Sequence, residues 1–129
     1  MQRRTVVYTD QTEAGELRTV SVRTTDYGVE IVERTTGPDT RAIFGDPVHK
    51  QVLTLSDEAE STLRREAPGD SLADGLRCAF AAGELEFLSD IQDILDRAEV
   101  SYGYAAYGPG EGLYRPYFDC RLRLTAGCD

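Results

Sequence analysis

Four carboxylates recur at three- and four-residue intervals late in the chain: Glu86, Asp90, Asp93 and Asp96. Side chains so spaced on a helix are neighbours, so Glu86, Asp90 and Asp93 make a compact anionic patch, with Arg97 placed to offset Asp93. A patch of that kind can hold a hard cation, meet a basic surface or simply face water. Hard cations want oxygen ligands converging from several directions, and no Asp-x-Asp-x-Asp-Gly loop is present, so neither a metal nor any other cofactor is expected. Two tyrosines, Tyr102 and Tyr104, follow at strand spacing and point to one side. Tyrosine joins apolar area to a hydrogen-bonding tip and is enriched in binding interfaces. Glu86, Asp90, Asp93, Asp96, Tyr102 and Tyr104 are therefore the expected partner-binding residues. The plainer alternative is a solvated helix face beside packed tyrosines.

The remaining reactive residues do not assemble a catalytic pattern, and the chain reads as non-enzymatic. His49 is the sole histidine, in a strand-like stretch with no cysteine or second histidine nearby, which is no zinc spacing. Any Ser-His-Asp or Cys-His device would have to use it. Cys78 falls in a helical pattern and reads as a buried thiol, whereas a cysteine nucleophile needs electropositive exposure. The run Gly108-Pro-Gly-Glu-Gly112 looks like a phosphate cradle at first sight. However, it has no lysine, Pro109 removes a backbone donor, and no Gly-Lys-Ser/Thr follows, so a hairpin loop is expected. Tyr107, Tyr114 and Tyr117 cluster around that loop and leave open a small-molecule pocket lined by tyrosines.

Charge placement narrows the partner. The chain of 129 residues carries a formal net charge of −9. Residues 56–99 hold four arginines against twelve aspartates and glutamates, so nearly all of the imbalance sits in the middle third. A field of that sign disfavours nucleic acid there and steers a basic protein inward. Three cysteines, Cys78, Cys120 and Cys128, form no paired motif, which suits a reducing, cytoplasmic setting. No apolar run is long enough to span a membrane, and Met1-Gln-Arg-Arg leads into a strand pattern instead of an apolar leader segment.

The elements that must position these residues follow from periodicity. Arg3–Thr9, Leu17–Thr24 and Val29–Thr35 are β-rich and separated by turn signals, which gives an antiparallel meander over residues 1–36. Gly37–Gly45 predicts a short helix, with Pro38 at its first position and Gly45 just past its end. Val48–Leu55 resumes strand character. Ser56 caps a helix stopped by Pro68-Gly69, whose thin apolar side of Ala59, Leu63 and Ala67 suggests a surface helix. Ser71 caps another, with Leu72, Leu76, Ala79 and Phe80 as its buried stripe. The acidic helix is expected over 84–98, with Phe87, Leu88, Ile91, Ile94, Leu95 and Ala98 facing inward. Residues 100–129 supply strands at Ser101–Tyr107 and Tyr117–Leu124 and a tail. The sum is one α+β domain over 1–129, a mostly antiparallel sheet of five to six strands covered by three to four helices, with residues 56–99 as its helical middle.

Two stretches carry a resemblance. Gln51–Leu63 followed by Ser71–Arg77 resembles the strand, helix, helix order of ribbon-helix-helix DNA-binding proteins. That resemblance would make the chain a dimeric regulator with Lys50 and Thr54 as base readers. More broadly, Gly37-Pro38, Phe44-Gly45-Asp46, Leu53-Thr-Leu-Ser-Asp57 and the passage from Leu95 to Tyr104 resemble small actinobacterial proteins of toxin-immunity type. What this second resemblance implies is an inhibitor that neutralises a basic toxin or nuclease. It agrees with the charge pattern.

Overall fold

The computed structural model of the protein describes residues 3–45, 47–107 and, as backbone, 112–115. Six strands, β1 (Arg3–Gln11), β2 (Leu17–Thr25), β3 (Gly28–Thr36), β4 (Val48–Leu55), β5 (Tyr102–Tyr107) and β6 (Gly112–Arg115), form one sheet. They lie side by side in chain order, each antiparallel to the next. Helix α1 (Pro38–Phe44) interrupts the meander between β3 and β4, and α2 (Asp57–Glu66), α3 (Leu72–Ala81) and α4 (Leu88–Arg97) fill the connection from β4 to β5. The fold is α+β. No helix among the described residues is long and apolar enough to cross a membrane.

Register explains which face the helices cover. Val22, Ile31, Leu53 and Tyr104 are aligned across β2 to β5, and Val29, Leu55 and Tyr102 form the next row. With period-two alternation these rows share a side, and they pack against Leu63, Leu76, Phe80, Leu88, Ile91 and Leu95 from the three long helices. In β1 the register shifts between Val6 and Tyr8, which lets both Val7 and Tyr8 reach the core. Tyr8 then stacks on Phe80 of α3 at 4.9 Å between ring centroids. Along β2, whose phase the sequence left open, Arg18, Val20 and Val22 therefore face the helices. The opposite side carries an aligned row of small residues, Ser21, Val32, Val52 and Ala105.

The caps form as their residue types dictate. Ser56 Oγ accepts the Ala59 N–H at 3.1 Å and donates to the Ser101 carbonyl at 2.7 Å, tying the start of α2 to the entry of β5. Ser71 Oγ accepts the Asp74 N–H at 3.1 Å. Gly45 ends α1 at φ 74°, the left-handed position expected for it. Gly75 lies inside α3, where a Cβ would sit 1.8 Å from the Ala67 carbonyl oxygen, so only glycine lets α3 cross the α2–α3 connection so closely.

Three expectations need correction. The acidic helix begins at Leu88, four residues later than expected, because the Asp90 carboxylate turns back onto the Glu86 and Phe87 N–H groups. Phe87, now the N-cap, and Ala98, the C-cap, fall outside the buried stripe and are exposed. Cys78 is also exposed, since it lies on the side of α3 opposite Leu76 and Phe80. Strand β6, at Gly112–Arg115, was not anticipated, because its first residue reads as loop. The expected strand at Tyr117–Leu124, Tyr117 itself, the loop residues Gly108–Glu111, Cys120 and Cys128 lie outside the described residues.

Candidate functional site

Three fully buried side chains, Leu88, Ile91 and Leu95, seat α4 on the sheet. They recur every three or four residues, so the other side of the helix must face out. Asp93, Asp96, Arg97 and Glu99 are exposed there, with Glu86 exposed just before the first turn. The four expected carboxylates thus take different roles. Glu86 stands in the approach to the helix, where its side chain has no hydrogen bond or ion pair among the described residues. Asp90 is half-buried, and its Oδ2 accepts from both Glu86 N–H and Phe87 N–H at 2.9 Å, completing the reverse arm of a capping box. Asp93 projects outward without a side-chain hydrogen bond among the described residues. Asp96 Oδ1 accepts from the Tyr102 hydroxyl at 2.8 Å, which joins the helix to β5. Arg97 makes no ion pair with Asp93 or with any other described residue.

Tyr104 is not brought to this face. It packs against the core and donates to Gln51 Oε1 at 2.9 Å. Burial raises its phenol pKa, and the negative charge of Glu33 raises it further.

The structure adds an inner polar cluster that charge counting had passed over. Glu33, 6% exposed, lies beneath the start of α4. Its Oε2 accepts the Leu88 N–H at 3.1 Å and the Arg18 guanidinium at 3.3 Å, while Oε1 accepts from Gln51 Nε2 at 3.2 Å. A carboxylate from the sheet thereby supplies the cap that α4 lacks, because the residue at its N-cap position is Phe87, which has no acceptor. Arg18 Nη1 also donates to the Glu86 carbonyl at 2.5 Å, and Nη2 lies 3.8 Å from Asp10 Oδ2. Its guanidinium lies over two rings, 4.5 Å from the Phe87 centroid and 5.2 Å from that of Tyr8. The signal was present in the strand phases. Arg18 alternates with Val20 and Val22, Glu33 with Val29 and Ile31, and Gln51 with Leu53 and Leu55, so all three had to face the core.

His49 is buried at the rim of the same cluster, stacked on Phe44 at 3.7 Å with ring planes 4° apart. Burial lowers its pKa, and Glu33 partly opposes this. Among the described residues no three His, Cys, Asp or Glu side chains are placed to hold a metal ion. One cleft of about 300 Å³ lies between the β1–β3 end of the sheet and helices α2 and α3, lined by Arg3, Val22, Arg64 and Ser71 among others. Another of about 340 Å³ lies by α2 and includes Asp57, Glu58, Arg65 and Val100. Neither is lined by a tyrosine. Strand β4 is hydrogen-bonded on both edges, to β3 and β5, so it is not free to form the intermolecular ribbon of a ribbon-helix-helix dimer. No protein-family model matches the chain, and comparison with curated proteins and with solved structures gives no match either.

Proposed function

We propose that the chain is a non-enzymatic acidic binding protein that neutralises a basic protein, a toxin or nuclease, by presenting carboxylates where that target takes phosphates. The observation that carries the reading is the condition of the carboxylates around α4. Glu86, Asp93 and Glu99 are exposed and without an ion pair among the described residues; Asp93 is on α4, which three fully buried side chains fix, and the other two lie just beyond its caps. In the rest of the helical layer Glu60 is matched by Arg64 and Asp74 by Arg77, while Asp57 and Glu66 of α2 are exposed and, among the described residues, likewise without an ion pair. Rigid, unmatched charge of one sign accelerates encounter with the opposite sign and loses force as salt rises. Asp96 with Tyr102, and Phe87 at the far end, give the face groups that can bury as well as attract.

The test is capture from a lysate of the native host at low and at high salt, read by mass spectrometry, with wild-type protein and with Asp93→Lys/Asp96→Lys as bait. One basic protein is expected, held at low salt, released at high salt and lost with the variant. Capture of the same proteins by both baits would remove α4 as the binding face.

A further inference from the structure

We infer that Phe87 is the aromatic anchor of this face and that it takes an arginine side chain of the basic partner; the inference rests on the reading above. Helix chemistry does not select this residue. The N-cap position favours Ser, Thr, Asp or Asn, whose oxygen accepts an N–H of the first turn, and a phenyl ring cannot do so. Nor does the core select it, since the ring is 45% exposed. What holds it is a purpose-built support. One ring face rests on the Arg18 guanidinium at 4.5 Å, and Arg18 is in turn fixed by Glu33, by the Glu86 carbonyl and by Tyr8 beneath it. The backbone of Phe87 is pinned by Asp90 at 2.9 Å. A large apolar side chain is thus kept in water in one orientation, at a point where both local rules would place something else, and such conflicts collect at functional positions.

The surroundings decide the class of occupant. The exposed Glu86 carboxylate is the neighbour in sequence, Asp90 lies one turn along, and Asp93 follows on the outer face. An exposed aromatic ring with carboxylates at the positions before it and along the helix that follows suits a flat cation, which stacks on the π face left open by Arg18 while its N–H fork reaches a carboxylate. That describes guanidinium better than ammonium. Preorganisation by Arg18 and Asp90 leaves little ordering for the partner to impose.

The probes are fluorescein-labelled hexa-arginine and hexa-lysine, titrated by fluorescence anisotropy into wild-type protein, Phe87→Leu, Phe87→Ser and Asp93→Lys/Asp96→Lys. Leucine keeps an apolar cover over Arg18 without a ring face, and serine supplies the missing cap, so thermal unfolding should report both as folded. Salt-sensitive binding of both peptides is expected, weakened by the double charge reversal. The preference for arginine over lysine should fall about 2- to 5-fold in both Phe87 variants. An unchanged preference, with salt-sensitive binding intact, would overturn the role of Phe87 and leave the acidic reading standing. Absence of salt-sensitive binding to wild type would overturn both.

Discussion

Glu33 and Asp93 are both carboxylates within reach of α4, yet they stand at opposite extremes. Glu33 lies under the helix, 6% exposed, and receives hydrogen bonds from a backbone N–H, an amide and a guanidinium. Asp93 lies on top of it, exposed and without a partner among the described residues. Two identical functional groups therefore serve one helix in different ways, the inner one fixing where α4 starts and the outer one setting what α4 shows to solvent. The difference teaches that the net charge of −9 is a poor guide to any single acid. A buried carboxylate is tolerated only when its lone pairs are matched, whereas a surface carboxylate is tolerated anywhere and gains meaning only from a partner.

Breaking the inner side should have the largest effect. Glu33→Ala leaves the Arg18 guanidinium, the Leu88 N–H and the Gln51 amide without their acceptor, and loss of one member of such a buried pair costs about 3–5 kcal/mol. The urea midpoint should fall accordingly, with the slope of the transition unchanged. Arg18→Met should cost less, about 1.5–3 kcal/mol, because Gln51 and Leu88 still satisfy Glu33 and the methionine chain still fills the space between Tyr8 and Phe87. A double-mutant cycle should return a coupling of about 0.5–3 kcal/mol, as groups in one network are not additive. Additive losses would mean that Glu33 and Arg18 act on α4 separately.

How much of this was legible in the sequence follows the same division. The strand and helix order is local information: Ser56, Ser71, Pro38 and Gly45 mark element ends by their own chemistry, and all four occupy the positions expected of them. The outer carboxylates were legible too, since helical spacing alone sends Asp93 and Asp96 outward. The start of α4 was only partly so, because besides the local Asp90 carboxylate it depends on Glu33, 55 residues earlier in the chain. Without that long-range acceptor, Glu84 to Phe87 look like the first turn of an acidic helix. Tyr104 was misplaced for a related reason. Alternation puts Tyr102 and Tyr104 on one side of β5, but only the pairing of Leu53 with Tyr104 shows that this side faces the core. In each case the missing step was a neighbour distant in the chain, which a single sequence does not supply. Arg18, Glu33 and Gln51 on apolar phases of β2, β3 and β4 were the available hint.

A milder perturbation acts at the edge of the inner cluster. His49 is held neutral by burial against Phe44, so its folded pKa lies below the ordinary 6.5 of the unfolded chain. Protons then favour the unfolded state. Stability should be level above about pH 7 and decline as pH falls through 6.5 toward the lowered folded value. Since His49 is the only histidine, His49→Gln should flatten the unfolding free energy between roughly pH 7 and 5.5, above the range in which ordinary carboxylates titrate. A decline that survives in His49→Gln would assign it to carboxylates instead.

The smallest change in stability is expected at the outer carboxylate. Asp93 has no side-chain hydrogen bond to lose among the described residues, so Asp93→Lys should alter the unfolding free energy by no more than about 0.5 kcal/mol. The same substitution at Glu33 would bury an ammonium beside Arg18 and should prevent folding, although the change in net charge is identical. Asp96→Lys falls between them, because it also gives up the bond from the Tyr102 hydroxyl. Matched unfolding curves for wild type and Asp93→Lys would show that the fold does not require this charge. A carboxylate that the fold does not require, held on an element that the fold fixes firmly, is free to be shaped by an external partner. Substantial destabilisation by Asp93→Lys would instead make the outer row part of the folding machinery and weaken the case for reading it as a binding surface.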